Sequence, residues 1–306
     1  MSKKTTFTPK PNWLKVKAPG GENYKKIKEK LRGENLYTVC EEARCPNVAE
    51  CWGGGTATMM LMGDTCTRGC RFCAVKTARN GIPLDPEEPQ KVYRSVELMD
   101  LEYIVLTSVD RDDLPDGGAQ HFTDVVRYLH NKRPGLLVEV LTSDFAGDIE
   151  PIAVMASSGA QVLAHNIETT RRLTRVVRDV RCKYDQSLEV LRLFKKFAPE
   201  SLTKSSIMLG LGEEDYEIEQ TLVDLRDNNV DVVTLRQYLR PGKKYREVMK
   251  YYHPDEFAKW KQKAEEMGFL YVASGPLVRS SYKAGEYFIQ NYLRRREGNE
   301  QRITTT

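Results

Sequence analysis

The fold class that this 306-residue sequence predicts is α/β, a full or partial βα barrel, and three observations predict it. From position 57 short apolar runs alternate with amphipathic stretches of helical length, the pattern of βαβ units on a parallel sheet. Six or seven such units follow one another with no early GxGxxG, which fits a barrel better than a doubly wound dinucleotide domain. Polar residues gather just after the apolar runs, where a βα barrel builds its reactive face.

Taken in order, residues 1 to about 35 are rich in Lys, Pro and Gly and hold one helical stretch, ENYKKIKEKLRG. They read as an extension wrapped on the main body. The first strand is ATMMLMG, and the cysteine-bearing loop DTCTRGCRFCAV follows it. YIVLTSV is the second strand and ends in Thr107, Ser108 and Asp110; the helix HFTDVVRYLHNK comes after it. LLVEVLT leads to Asp144, and VLAHNIE carries His165, Asn166 and Glu168. The helix DQSLEVLRLFKKF precedes SSIMLGL, a strand followed by Gly210, Gly212 and Glu213. YEIEQTLVDLRD, VVTLRQYL, PDEFAKWKQKAEEMG and FLYVASG complete the alternation. All the loops after the strands would converge on one mouth. The organisation expected is an N-terminal extension 1–56, a barrel 57–276 and a C-terminal extension 277–306.

The charge balance, 47 basic against 43 acidic side chains for a net +4, is too slight to imply a nucleic-acid partner. No run of about 18 apolar residues predicts a membrane span. The basic start lacks an apolar secretion segment, so the expected location is the cytoplasm. There, seven cysteines point to metal or catalysis and not to disulfides. Six of them fall between positions 40 and 73, while Cys182 stands alone and reads as a small core filler. The GGG at 53–55 is a linker turn and not a phosphate loop, since no GK[ST] follows.

Cys66, Cys70 and Cys73 form a CxxxCxxC run with no fourth Cys or His in the next 30 positions; the nearest downstream histidine is His121. A structural zinc wants a closed shell of four ligands, whereas a reactive centre keeps a position free. Thiolates select zinc or iron-sulfur clusters. A 4Fe-4S cubane on three thiolates leaves one iron able to take a small molecule; a zinc knuckle completed from elsewhere in the chain is the competing reading. Upstream, Cys40, Cys45 and Cys51 again offer three thiolates without a fourth.

The run CTRGCRFC, with an aromatic residue before the last cysteine, resembles the signature of the radical S-adenosylmethionine (SAM) superfamily. With the upstream CEEARCPNVAECW and the later RSSY, Arg279 to Tyr282, the chain resembles the lipoyl synthase family. The likeness runs from about position 10 to 295 and includes TSVDRDDLPDGGA, HNIET, KSSIMLGLGE and ASGPLVRSSY in family order.

The resemblance implies a partial (β/α)6-type barrel with N- and C-terminal extensions, and two 4Fe-4S clusters. The one on Cys66, Cys70 and Cys73 works with S-adenosylmethionine, and an auxiliary one on Cys40, Cys45 and Cys51 donates sulfur. Ser281, with Ser280 as the alternative, completes the second. The activity implied is insertion of two sulfur atoms at C6 and C8 of a protein-bound octanoyl-lysine. The substrate is then a lipoyl carrier domain, such as the glycine cleavage H protein or a 2-oxoacid dehydrogenase acyltransferase subunit. An electron donor such as ferredoxin or flavodoxin and an iron-sulfur carrier protein would serve it. Expected S-adenosylmethionine contacts are Thr107, Ser108, Glu139, Asn166, Gly210 and Gly212, with His165 near the ribose or substrate. The chain departs from the family pattern at Ser143, Ala164, Leu235 and Arg236, all away from the cluster ligands. Alternatives are another radical SAM enzyme, such as a tRNA-thiolating one, which would need an RNA-binding module, and a non-catalytic zinc protein.

Overall fold

The structure is a computed structural model and describes residues 9–15, 29, 33, 37, 38, 58–279 and 288–294. Its main sheet has eight strands in the order β1 (Tyr37–Thr38), β2 (Thr58–Leu61), β5 (Tyr103–Ser108), β6 (Leu137–Leu141), β7 (Val162–Ala164), β8 (Leu202–Leu209), β9 (Val232–Gln237) and β10 (Tyr271–Gly275). From β2 to β10 every pair is parallel, and only β1 runs antiparallel to its neighbour β2. A two-stranded ribbon, β3 (Thr65–Cys66) with β4 (Lys76–Thr77), stands beside it.

Helices alternate with the parallel strands: α1 (Glu88–Met99), α2 (Ala119–Lys132), α3 (Ile149–Ala156), α4 (Arg171–Val177), α5 (Tyr184–Phe197), α6 (Asp215–Asp227) and α7 (Pro254–Glu266). Each of the seven apolar runs became a strand of the sheet. Neighbours in space are neighbours in sequence, as expected when right-handed crossovers wind one barrel. This is the partial-barrel α/β fold that the sequence predicts.

The strands alternate between two faces, and each face has its own core. Ile104, Leu106, Val138, Val140 and Leu163 point outward beneath α1, α2 and α3. Ile207, Leu209, Val233, Leu235 and Val272 do so beneath α6 and α7. Helix α5 joins the two cores, giving Val190 and Phe194 to one and Leu188 and Leu191 to the other. On α6, Ile218, Leu222 and Leu225 recur at helical spacing and are fully buried, each worth about 1.5–3 kcal/mol.

Inside the barrel, Tyr103, Val105, Leu137, Val162 and Leu202 enclose Ile289 and Leu293 of the helical residues 288–294. Phe288 stacks on Tyr271 at 4.5 Å, and Arg294 reaches Glu102 at 2.7 Å. The C-terminal segment therefore plugs the amino-terminal end of the barrel. The opposite mouth carries the loops with the candidate site.

Candidate metal centre

A tight turn after β2 aims the cysteine loop. Met62 and Gly63 both take positive φ, 62° and 86°, and a Cβ on Gly63 would lie 2.3 Å from Ile82 Cδ1, so glycine is required there. The Met62 N–H donates to both Glu88 carboxylate oxygens at 3.0 and 3.1 Å, and Arg111 Nη1 donates to the Met62 carbonyl at 3.3 Å. The chain then enters β3, where Thr65 pairs with Lys76 and Cys66 with Thr77. This ribbon closes the loop at both ends, so Cys66, Cys70 and Cys73 stand on one short, pinned segment.

All three are free thiols and half-buried. Two of the sulfurs meet a backbone N–H: Arg68 N at 3.4 Å from Cys66 Sγ and Asp179 N at 3.3 Å from Cys70 Sγ. Burial, then the Asp110 carboxylate 3.6 Å away, pushes the Cys66 thiol up to about 12. Cys70 is raised by its hydrogen bond with Cys182 and by burial, and Cys73 chiefly by burial. Sulfurs in such surroundings keep their protons until a cation displaces them. Among the described residues no three His, Cys, Asp or Glu side chains converge as a group on one ion. A 4Fe-4S cubane asks for something different, one cysteine to each of three irons. Three free thiols from one loop, with N–H donors to two of the sulfurs, fit that demand.

Behind the loop lies a network that the sequence reading missed. Arg68, from within the motif, has a side chain only 2 % exposed and meets Asp112 at 2.6 Å, Asp144 at 2.7 Å and Asp110 at 3.4 Å. Its Nη1 also donates to Cys182 Sγ at 3.3 Å. Cys182 is buried but not solitary, since it touches both Arg68 and Cys70. The one local signal was the dense charge of VRDVRC at 177–182.

The expected cofactor contacts lie at the carboxyl ends of the strands. Thr107 donates its hydroxyl to the Leu141 carbonyl at 2.8 Å, and Ser108, half-buried, ends β5. Asn166 donates to Glu168 Oε1 at 3.0 Å. Glu168 holds a left-handed backbone, φ 67°, and its Oε2 receives Arg236 Nη2 at 2.8 Å. Arg236, one of the departures from the family pattern, thus has an ion-pair partner at the mouth.

Gly210 and Gly212 have φ of 105° and 106°, and Glu213 accepts from the N–H groups of Gly210 and Leu211. At Gly210 a Cβ would stand 2.3 Å from Gln237 Nε2 and 2.5 Å from the Lys250 carbonyl. Here the protein's own packing already demands glycine.

Glu139 stands apart from these residues. It is 1 % exposed inside the barrel, with both oxygens taken by Lys204 Nζ at 2.7 and 2.8 Å and Oε2 also by the Tyr103 hydroxyl at 2.6 Å. His165 is likewise engaged, Nδ1 with the Thr142 carbonyl and Nε2 with the Ser187 hydroxyl, both at 3.0 Å. Burial, reinforced by the Arg178 charge, lowers its pKa to about 4, so it is neutral at pH 7. Cys40, Cys45, Cys51, Ser280 and Ser281 lie outside the described residues.

The family model described as the radical SAM superfamily matches residues 60–225, and that of the N-terminal domain of lipoyl synthase matches residues 2–45. The mitochondrial lipoyl synthase of Schizosaccharomyces pombe is 57 % identical over 294 residues, covering 94 % of this chain and 80 % of that protein. That of Danio rerio is 56 % identical over 299 residues, covering 96 % and 75 %. Among solved structures, methylornithine synthase (PylB) superposes with a TM-score of 0.53 at 16 % identity, over 82 % of this chain and 81 % of that one, a likeness of fold alone.

The expected cytoplasmic location is corrected here. The relatives are named mitochondrial, which stands against the cytoplasm. The expectation rested on a start without an apolar secretion segment, and that feature does not separate cytoplasm from an organelle addressed by amphipathic presequences.

Proposed function

This chain belongs to the lipoyl synthase family of the radical SAM superfamily, and from that premise we propose how its own residues share the work. It is a sulfur-inserting enzyme that adds two sulfur atoms, at C6 and C8, to a protein-bound octanoyl-lysine, using S-adenosylmethionine and two 4Fe-4S clusters. It acts on lipoyl carrier domains. The C–H bonds concerned carry no acidic hydrogen, so a side-chain base has nothing to remove. When bound, the clusters and S-adenosylmethionine supply the hydrogen-abstracting radical and the sulfur.

Cys66, Cys70 and Cys73 would hold the cluster that works with S-adenosylmethionine, one thiolate to each of three irons. Arg68 and its carboxylates fix the loop that carries these sulfurs. Thr107, Ser108, Asn166 and the segment from Gly210 to Gly212 line the place of S-adenosylmethionine. Glu139 is left out because its oxygens already serve Lys204 and Tyr103.

Cys40, Cys45 and Cys51 hold the auxiliary cluster, completed by Ser281 or Ser280. A hydroxyl is a harder and weaker partner for iron than a thiolate, so its bond yields first, which suits a cluster that gives up sulfur. In this reading residues 1–56 carry the auxiliary site, 57–276 the radical chemistry, and 277–306 return the serine to it. The carrier is the glycine cleavage H protein or an acyltransferase subunit, served by a ferredoxin or flavodoxin and an iron-sulfur carrier protein.

The observation supporting this most is the set of three free thiols on one pinned loop after the first parallel strand, two of the sulfurs met by a backbone N–H. The test is anaerobic reconstitution, iron and sulfide content per chain, and mass analysis of an octanoylated carrier domain after reaction. Two clusters and two added sulfurs are expected; a single zinc and an unchanged carrier would refute it.

A further inference from the structure

We propose that Asp179 is a positioning residue for the cluster, setting where the Cys70 sulfur stands and how strongly its charge is drawn off. The proposal rests on the reading that Cys66, Cys70 and Cys73 hold that cluster.

The segment 177–182, which runs from the last residue of α4 towards α5 and lies more than 100 positions away in sequence, grips five consecutive residues of the loop. Arg181 Nη2 donates to the Thr67 carbonyl at 2.6 Å. Arg68 Nη1 donates to Cys182 Sγ at 3.3 Å. The Gly69 N–H donates to Asp179 Oδ2 at 2.8 Å, and the Asp179 N–H donates to Cys70 Sγ at 3.3 Å. The Arg71 N–H donates to the Val177 carbonyl at 2.8 Å. Cys66 Sγ receives the Arg68 N–H from its own loop at 3.4 Å. The middle cysteine has its backbone donor supplied from across the barrel mouth.

Asp179 is the centre of this clasp because it acts on the loop twice, through its carboxylate and through its N–H. The carboxylate is itself held, Oδ1 accepting from Arg181 N at 3.0 Å and Nε at 2.9 Å. Arg181 continues to Asp112 at 3.0 Å, the carboxylate that also takes Arg68. The Asp179 side chain is 13 % exposed, and its bond to the Gly69 N–H is charge-assisted. A Cβ at Gly69 would meet nothing nearer than Asp179 Oδ2 at 3.9 Å, so hydrogen bonding and not crowding holds this stretch in place. An N–H···S bond draws charge off a cluster sulfur and favours the reduced state. Loss of the carboxylate frees Gly69, lets the loop drift from the Asp179 N–H, and should make the cluster harder to reduce and easier to lose.

The test uses the full chain reconstituted anaerobically, as parent, Asp179→Ala, Asp179→Asn and Cys70→Ala. Iron release to a ferrous chelator and the midpoint potential of the electron paramagnetic resonance signal that responds to added S-adenosylmethionine are measured. Asp179→Ala should release iron about tenfold faster and titrate at a more negative potential, while the signal that ignores S-adenosylmethionine stays unchanged. Asp179→Asn, whose amide oxygen can still accept from Gly69, should lie between Asp179→Ala and the parent. Release and potential equal to the parent in Asp179→Ala, or no recovery in Asp179→Asn, would overturn the proposal. Cys70→Ala separates the two readings: if it retains the S-adenosylmethionine-responsive signal, the cysteine assignment itself has failed.

Discussion

Replacing Lys204 by methionine tests the charge pair inside the barrel. The Lys204 ammonium and the Glu139 carboxylate have side chains 4 % and 1 % exposed and meet at 2.7 and 2.8 Å. Such a pair adds little net stability, because desolvation offsets the attraction, yet removing one partner strands the other charge in a low-dielectric interior at a cost of about 3–5 kcal/mol. After Lys204→Met the carboxylate keeps only the Tyr103 hydroxyl, at 2.6 Å. At about 2–4 °C per kcal/mol, the loss corresponds to a fall in melting temperature of roughly 6–20 °C. The companion change Glu139→Gln removes the stranded charge while its amide oxygen still accepts from Tyr103. The double variant should therefore regain at least about 2 kcal/mol over the single one, since the two sites are in direct contact. Urea unfolding of the cluster-free chain, followed by circular dichroism, measures all three proteins. A single variant within about 1 kcal/mol of the parent, or a double variant no more stable than the single, would refute the reasoning. The double variant should also keep its S-adenosylmethionine affinity, because Glu139 has no free oxygen to lend.

Cys70→Ala should abolish cleavage of S-adenosylmethionine, whereas Cys45→Ala should still release 5'-deoxyadenosine yet transfer no sulfur; chromatography of the nucleoside beside mass analysis of the carrier decides both. Gly210→Ala should cost at least about 1–3 kcal/mol, from its φ of 105° and a Cβ 2.3 Å from Gln237 Nε2, read as a lowered melting temperature. His165 gives a pH dependence whose sign follows from its neutral burial. With a folded pKa of about 4 against about 6.5 unfolded, the unfolded chain binds a proton that the folded one refuses. Stability is thus full above pH 6.5 and declines as pH falls towards 4, by up to about 3 kcal/mol. Unfolding curves across that range should flatten in His165→Gln, and an unchanged slope would remove His165 as the cause.

What the sequence determined alone was everything carried by local repetition and spacing. A strand buried on two faces reads as an apolar run, and an amphipathic helix repeats every 3.6 residues, so the seven parallel strands and most of their helices were legible. So was CxxxCxxC, because a loop of eight residues holds its three sulfurs together whatever surrounds it. The two-residue strands β1, β3 and β4 were not, being too short to show a period. Nor was the grip of residues 177–182 on residues 67–71, the pairing of Lys204 with Glu139, or the seating of Ile289 and Leu293 in the barrel floor. Each joins positions 65 or more apart, and no local pattern encodes such a meeting. It exists only once the sheet curls, bringing the ends of distant strands to one rim. Cys182 illustrates the difference: as a residue type it is a small buried thiol, and only the closed barrel places it against Arg68 and Cys70.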